Sequence, residues 1–305
     1  MFLQRLAKIT GLSESHIAKI ARTANHRYRT YQIPKRRGGF RTIDHPSKHL
    51  KFLQRWLVRN IFSHTPVHPS VYSYKEGISI REHARLHLNS KYTLRIDFRD
   101  FFPSIRSTDV QKLLIENRSR IPVQLSERDI RIVCALSCRN DKLTIGAPCS
   151  PAISNAIMYE FDKHWSQRAH RFDIIYSRYA DDIYFSTNRP GVLSKVLSEL
   201  KDDLKSRASP RLVLNAAKTI FTSRKRRRVI TGIVVTSNRK LSLGREKKRQ
   251  LRTLVHLFSQ HQLDRDRAKS LQGFLSYAST IEPLIITRLK KKFGTELIAK
   301  IVEMP

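Results

Sequence analysis

Three aspartates in the middle of the chain have a spacing from which they could hold metal ions. Asp181 and Asp182 stand side by side between two alternating apolar stretches, and Asp97 stands near the end of another such stretch. An ordinary turn, which Asp favours, would explain the adjacent pair taken alone. A carboxylate at a strand end beside a carboxylate in a hairpin turn could instead hold two divalent cations about 3.5–4 Å apart.

This arrangement predicts the transfer of a nucleotide to a hydroxyl group. Oxygen ligands with no His or Cys beside them suit Mg²⁺, and we expect two Mg²⁺ per site, with Mn²⁺ able to substitute. One ion would lower the pKa of a primer hydroxyl, and the other would neutralise charge on the triphosphate and the departing pyrophosphate. Clustered carboxylates repel one another, so the cations would also keep them ionised.

Hydrophobic periodicity predicts the elements that position these aspartates. Alternation predicts a strand over 91–98 and two strands over 172–188 around a tight turn at Ala180-Asp181-Asp182. A basic hairpin is expected over 34–46 with Gly38-Gly39 at its turn. The other expected elements are short strands near 211–222 and 229–235 and helices in 1–30, 50–62, 107–118, 126–138, 150–165 (with Ser150 as cap and Pro151 in the first turn), about 191–206 and most of 246–302.

The charge balance indicates a polyanionic partner. Lys and Arg number 59 against 25 Asp and Glu, which gives a formal net charge of +34, and 40% of residues are hydrophobic, enough for a folded core. The basic residues recur along the whole chain, which favours nucleic acid over a membrane surface. No apolar run approaches the roughly 20 residues of a membrane span, and no signal-peptide pattern opens the chain. With an odd number of cysteines, three, and no paired CxxC spacing, we expect a cytoplasmic protein without a membrane partner.

Four segments resemble, in order, motifs A, B, C and D of reverse transcriptases: RIDFRDFF, IGAPCSPAISN, YADD and LNAAKT. The resemblance is greatest to the bacterial retron group and covers roughly residues 28–290. The flanking segments that also resemble this group are FRTIDHPSKHLKFLQRWL, EGISIREHARLH, RRVITGIVV and LQGFLSYASTIEP.

The resemblance implies an α+β right-hand polymerase fold. N-terminal helices and fingers would occupy 1–90, and a palm with an antiparallel sheet would occupy 91–240, with a finger insertion at about 107–145. A helical thumb would occupy 241–305. Three basic stretches, 225–228, 247–249 and 290–292, would lie after the catalytic strands, where they could grip duplex or folded RNA.

The implied activity is RNA-directed DNA polymerisation from dNTPs. Enzymes of the retron group copy a cognate structured non-coding RNA, starting from a guanosine 2′-OH. The product is a branched, RNA-linked single-stranded DNA (msDNA), and the group acts in antiphage defence with a separate effector protein. After Leu241 the acidic residues are scattered along basic helical sequence, so we expect a cellular ribonuclease H to trim the template.

The resemblance also implies roles for the residues of the predicted metal site. Asp97 and Asp181 would be metal ligands and catalytic residues, Asp182 the third carboxylate, and the carbonyl of Phe98 a further ligand. Lys218 matches the motif D lysine, which would protonate pyrophosphate or contact the template.

Other matched residues would bind the substrate. Phe102 matches the aromatic gate that excludes a ribose 2′-OH, with a plain core aromatic as the alternative, and Phe98 and Phe101 flank the same site. Lys35 and Arg41 would grip the triphosphate, although either could bind the template backbone. Within motif B, Gly146 is matched, whereas Ile145 replaces the Gln of many relatives and puts the sugar contacts in doubt.

Two other functions fit parts of the pattern. A group II intron-like reverse transcriptase would share the polymerase motifs, but no HNH-type spacing of His and Cys follows the expected thumb. A non-catalytic RNA-binding scaffold could keep the fold, but the presence of Asp97, Asp181 and Asp182 argues against it.

Overall fold

The computed structural model describes residues 2–35 and 38–304, and the chain forms two compact units. Unit 1 comprises Met1–Glu76, Arg95–Phe185 and Gly191–Ile220, and unit 2 comprises Gly77–Leu94, Ser186–Pro190 and Phe221–Pro305. Both units are assembled from separated parts of the chain. The division into fingers, palm and thumb at 90 and 240 stays a prediction. Two residues of the expected basic hairpin, Arg36 and Arg37, lie outside the described residues.

The described residues form helices and strands throughout. The α-helices are α1 Phe2–Thr10, α2 Glu14–Arg22, α3 Lys48–Asn60, α4 Ile80–Leu86, α5 Phe101–Ser104, α6 Ser107–Glu116, α7 Glu127–Ser137, α8 Ser150–Ile157, α9 Tyr159–His170, α10 Val192–Ser206, α11 Arg245–Ser259, α12 Arg265–Ile281, α13 Leu284–Phe293 and α14 Thr295–Val302. The strands are β1 Tyr28–Pro34, β2 Phe40–Pro46, β3 Tyr92–Arg99, β4 Ile175–Tyr179, β5 Asp182–Thr187, β6 Val213–Leu214, β7 Ile220–Ser223, β8 Arg228–Ile230, β9 Ile233–Val235 and β10 Leu241–Ser242.

Most predicted elements are present, and the expected helix over 150–165 is the main error. The structure has two helices there, α8 and α9, which meet at Met158. The break was not predicted because the apolar pattern continues through it. Ser150 is the first residue of α8 and its buried hydroxyl has no hydrogen-bond partner, so it does not cap the helix. Helix α4 was not foreseen, although Ser79 and Glu82 form a capping box at its start, which is a readable sequence signal.

A five-stranded sheet carries the predicted site. Its strand order is β4-β5-β3-β6, with β7 also paired to β3, and β3 runs antiparallel to β6. Helix α9 covers this sheet: the ring of Phe161 packs edge-on against Phe98, and that of Trp165 packs against Phe185. Burial of these large rings supplies much of the apolar stabilisation of the unit.

In unit 1, β1 and β2 form the expected basic hairpin. The strands pair antiparallel from Tyr28 opposite Pro46 to Pro34 opposite Phe40. Gly38 and Gly39 both have positive φ, at 87° and 75°, which is the backbone conformation that glycine adopts without strain. The glycines therefore allow the chain to reverse there.

Unit 2 combines a three-stranded antiparallel sheet, in the order β10-β9-β8, with helices α11 to α14. Parts of the basic stretches expected to face RNA are used internally. Arg228 is 1% exposed and donates to the carbonyl of Ser90, and Lys248 pairs with Glu282 at 2.7 Å. Lys290–Lys292 are exposed, as predicted. Among the helices that the structure describes, none is long and apolar enough to cross a membrane.

Candidate active site

The turn between β4 and β5 brings Asp181 next to the strand that carries Asp97. Ala180 occupies the left-handed region at φ 56°, which lets the chain reverse over two residues. The backbone N–H of Phe98 donates to the carbonyl oxygen of Asp181 at 3.1 Å. Asp97 precedes Phe98 directly, so this bond confirms that the turn lies beside β3, as the sequence predicted.

Asp97 is almost fully buried and is held by residues that follow β6. Its side chain is 4% exposed, and both of its carboxylate oxygens accept from the Lys218 ammonium at 2.9 Å. The side-chain amide of Asn215 donates to the same carboxylate at 3.1 Å, and the Asn215 backbone N–H donates to the Asp97 carbonyl at 2.8 Å. A cation, the half-exposed ammonium of Lys218, therefore lies on the carboxylate that was predicted to bind metal.

The electrostatics of Asp181 show that it shares a region with Asp97. Burial, and then the negative charge of Asp97, raise the pKa of Asp181, whereas the nearby cations Lys218 and Arg41 lower it. Arg41 is exposed on β2, so one residue that was predicted to bind phosphate acts on the same carboxylate. Two carboxylates crowded in this way favour a bound divalent cation, which would relieve their repulsion.

Asp182 faces a different partner. The guanidinium of Arg95 binds both oxygens of Asp182, with Nη2 at 2.9 Å from each and Nε at 3.0 Å from one. Burial raises the pKa of Asp182 to about 6; Arg95 opposes the shift, and the neighbouring carboxylates of Asp181 and Asp97 add to it. Asp182 thus has a counter-ion of its own, whereas Asp97 and Asp181 share the nearby cations.

The donor set fits a hard divalent cation through two carboxylates. Within residues 2–35 and 38–304, no group of three or more His, Cys, Asp or Glu side chains is placed to hold a metal ion. Asp97 and Asp181 offer oxygen ligands of the kind that Mg²⁺ prefers. The role of Asp182 and of the Phe98 carbonyl as further ligands stays a prediction.

The three aromatic residues that follow Asp97 differ in how much of each ring is exposed. The rings of Phe98 and Phe101 stack with their centroids 5.9 Å apart, and both side chains are buried. Phe102, whose centroid lies 5.5 Å from that of Phe101, is only half-buried. Of these three rings, Phe102 is the one with surface left to meet a substrate, whereas Phe101 could contribute through its backbone only.

The motif B loop approaches β2 through its backbone. The Asp44 N–H donates to the Ile145 carbonyl at 2.8 Å. Gly146 has φ 117°, and a Cβ there would lie 2.6 Å from the Asp44 carbonyl oxygen, so any larger residue would push the two segments apart. The Ile145 side chain is half-buried and Gly146 is exposed. Both predicted substrate residues therefore line the junction between the hairpin and the loop.

A charged contact strengthens the same junction. Arg139 forms an ion pair with Asp44, donates to Thr30 at 2.6 Å and lies over the Tyr28 ring. The hairpin that carries Arg41 is thereby fastened close to motif B. Lys35, just beyond β1, is exposed, and its backbone N–H donates to the Gly39 carbonyl at 2.9 Å.

Several residues of the site were missed from sequence. Arg95 stands two positions before Asp97 on the same strand, and that alternation could have placed the two side chains on one face. Asn215 lies within the motif D segment. Tyr74 is half-exposed with φ 56°, and burial followed by the charge of Asp181 raises its pKa, which places it near the aspartate turn.

Comparison with known proteins gives consistent matches. The reverse transcriptase (RNA-dependent DNA polymerase) family matches residues 33–256. The chain is 36% identical to Retron Ec83 reverse transcriptase of Escherichia coli, over 92% of this chain and 91% of that protein. It is 35% identical to Retron Ec73 reverse transcriptase of Escherichia coli, over 88% and 87%. A solved structure of apo telomerase from Candida Tropicalis aligns with a TM-score of 0.49 at 13% identity, over 91% of this chain and 58% of that chain, which is too low to carry a conclusion.

Proposed function

The chain belongs to the reverse transcriptase family and is an RNA-directed DNA polymerase of retron type, and from this premise we propose that it copies a cognate structured non-coding RNA into a branched, RNA-linked DNA. The resemblance to the retron group and the α+β polymerase fold are thereby confirmed. The observation that carries the catalytic part of the proposal is the junction of β3 with the β4–β5 turn, where Asp97 and Asp181 lie together.

In the proposed reaction, Asp97 and Asp181 hold two Mg²⁺ ions. The bound ions supply charge stabilisation for the attacking hydroxyl and the departing pyrophosphate. Arg41, exposed and within electrostatic reach of Asp181, binds the triphosphate, and Lys35 assists it or binds the template. Phe102 limits the room at the sugar. The Arg95 pair opposes the rise in the pKa of Asp182 that burial causes, and so favours the ionised carboxylate.

Lys218 has a double role in this proposal. Its ammonium pairs with Asp97, and its side chain is 49% exposed, so it can leave the carboxylate without breaking a packed core. If a metal ion took its place on Asp97, the ammonium would remain close to the site, where it could protonate pyrophosphate or contact the template. Protonation of pyrophosphate fits a half-exposed amine on a short turn after Asn215.

The biological part of the proposal follows the retron relatives. The formal charge of +34 suits a large RNA partner together with its DNA product. We place the protein in the bacterial cytoplasm, with dNTPs as substrates, a cellular ribonuclease H that trims the template, and antiphage defence carried out with a separate effector protein.

The test combines substitution with sequencing of the nucleic acid that copurifies. Asp181→Asn and Asp97→Asn should abolish Mg²⁺-dependent extension and remove the RNA-linked DNA, while RNA still copurifies. Asp202→Asn is the matched control, since this aspartate is exposed and pairs with a lysine on its own helix. Normal extension by Asp181→Asn would contradict the catalytic assignment. RNA without DNA from the parent protein would indicate a scaffold.

A further inference from the structure

We infer that Ser73 and Arg178 are positioning residues, which hold both backbone polar groups of Ala180 and thereby aim the Asp181 carboxylate at its metal ions. The inference rests on the proposed metal-binding role of Asp181. Neither residue belongs to the four polymerase motifs, and neither was singled out from sequence. All the contacts below lie within unit 1.

Ala180 has a backbone that needs external support. Its φ of 56° lies in the left-handed region, which a residue with a Cβ rarely adopts, and its side chain is buried. Its N–H donates to the Ser73 hydroxyl at 2.8 Å, and its carbonyl accepts from Arg178 Nη1 at 3.0 Å. Both polar groups of the residue before Asp181 are therefore fixed from outside the turn.

Arg178 is anchored as a fully buried ion pair. It is 0% exposed, and its Nε and Nη2 donate to the Asp162 carboxylate on α9 at 2.8 and 2.7 Å. Tyr176 donates its hydroxyl to the same carboxylate at 2.6 Å. A buried guanidinium bound at several points cannot rotate freely, so its remaining Nη1 presents a donor of fixed direction.

Ser73 is held in place equally well. The segment before it runs parallel to β4: the Arg178 N–H donates to the Ser70 carbonyl and the Tyr72 N–H to the Arg178 carbonyl, both at 2.9 Å. The Ser73 carbonyl accepts from Asn155 on α8 at 3.0 Å. The Ser73 hydroxyl that accepts from Ala180 is thus held at a fixed position by its own backbone bonds. We call this set of bonds, together with the Arg178–Asp162 pair, the frame of the turn.

This frame explains how a strained turn can present a carboxylate at a constant position. Removal of the Ser73 hydroxyl would leave a buried N–H of Ala180 without its partner. The turn could recover a partner only by rotation of its backbone, and such a rotation would move the adjacent Asp181. The other bonds of the frame would keep the fold, so the loss should appear in metal binding before it appears in stability.

The test compares Ser73→Ala with Ser70→Ala. Ser70 lies on the same segment, but its hydroxyl contacts Ser166 at 3.2 Å. Mn²⁺ binding to the purified protein without substrate is followed by electron paramagnetic resonance, well below the unfolding midpoint of each variant. Ser73→Ala should weaken Mn²⁺ binding on the order of tenfold, as expected for a lost buried hydrogen bond. Ser70→Ala should bind as the parent does.

Asp181→Asn separates the two ways in which the reasoning can fail. If the parent binds Mn²⁺ no better than Asp181→Asn, the proposed metal site itself is wrong. If Asp181→Asn loses Mn²⁺ while Ser73→Ala keeps the parent's affinity, the metal site stands and the positioning role is overturned. Equal weakening in Ser70→Ala would also overturn it, since general loosening of the segment would then explain the loss.

Discussion

Replacement of Lys218 by Met should tighten metal binding while it slows DNA synthesis. The Lys218 ammonium lies 2.9 Å from both oxygens of Asp97, the carboxylate that we propose as a metal ligand. A metal ion must first displace this ammonium. Met has a similar length and no charge, so the substitution removes the competitor and keeps the apolar stem.

The size of the effect follows from the exposure of the two partners. Asp97 is 4% exposed, which strengthens the pair, but Lys218 is 49% exposed, so water screens it and can solvate the released ammonium. An ion pair of this kind contributes about 1 kcal/mol, near the upper end for exposed pairs. Its removal should therefore tighten Mn²⁺ binding about fivefold, since 1.4 kcal/mol corresponds to about tenfold.

The assay is a titration with Mn²⁺, followed by paramagnetic resonance, and a single-turnover primer extension on the same preparations. Lys205→Met serves as control, because Lys205 is 78% exposed and pairs with the exposed Asp202 at 3.1 Å. This control should change neither quantity. Mn²⁺ binding to Lys218→Met that equals or falls below that of the parent would refute the competition. Unchanged extension would refute the role of Lys218 in catalysis.

Three further predictions concern selectivity, processing and pH. Phe102→Val should admit ribonucleotides, on the order of tenfold better in a dNTP/rNTP competition, because the half-buried ring is the one proposed to limit the room at the sugar; unchanged discrimination would make Phe102 a core residue. The purified protein should extend a primer yet leave the RNA of a preformed hybrid uncut with Mg²⁺ or Mn²⁺; cutting that an Asp→Asn change after Leu241 abolishes would contradict this. Burial lowers the pKa of His83 to about 3. Below pH 6.5 the unfolded chain therefore takes up a proton on His83 that the folded protein does not. As the pH falls below 6.5, the free energy of unfolding should fall by about 1.4 kcal/mol per pH unit. Buried His87 acts in the same direction, and denaturant titrations at pH 6.5 and pH 5 should show a smaller fall for His83→Gln; equal stability of the parent at both would contradict the argument.

Sequence patterns predicted the elements whose signals are local. The hairpin around Asp181 and the strand that ends after Asp97 follow from two-residue alternation and a turn between apolar runs, both of which act over a few residues. The error at Met158 has the same origin, since the apolar pattern runs on through the break between α8 and α9. Exposure was harder to foresee: Arg228 stands in a run of basic residues, yet its guanidinium is buried.

The amino-acid sequence by itself determined which carboxylates are available, in what order they stand and on which elements they lie. Only the tertiary structure decided which side chain each carboxylate pairs with. Lys218 reaches Asp97 across 121 residues, and Ser73 reaches Ala180 across 107. No periodic pattern specifies such pairs, because each depends on how separate strands and helices pack. For the same reason, Asp181 and Asp182 are neighbours in the chain, yet one lies toward Asp97 and the other is held by Arg95.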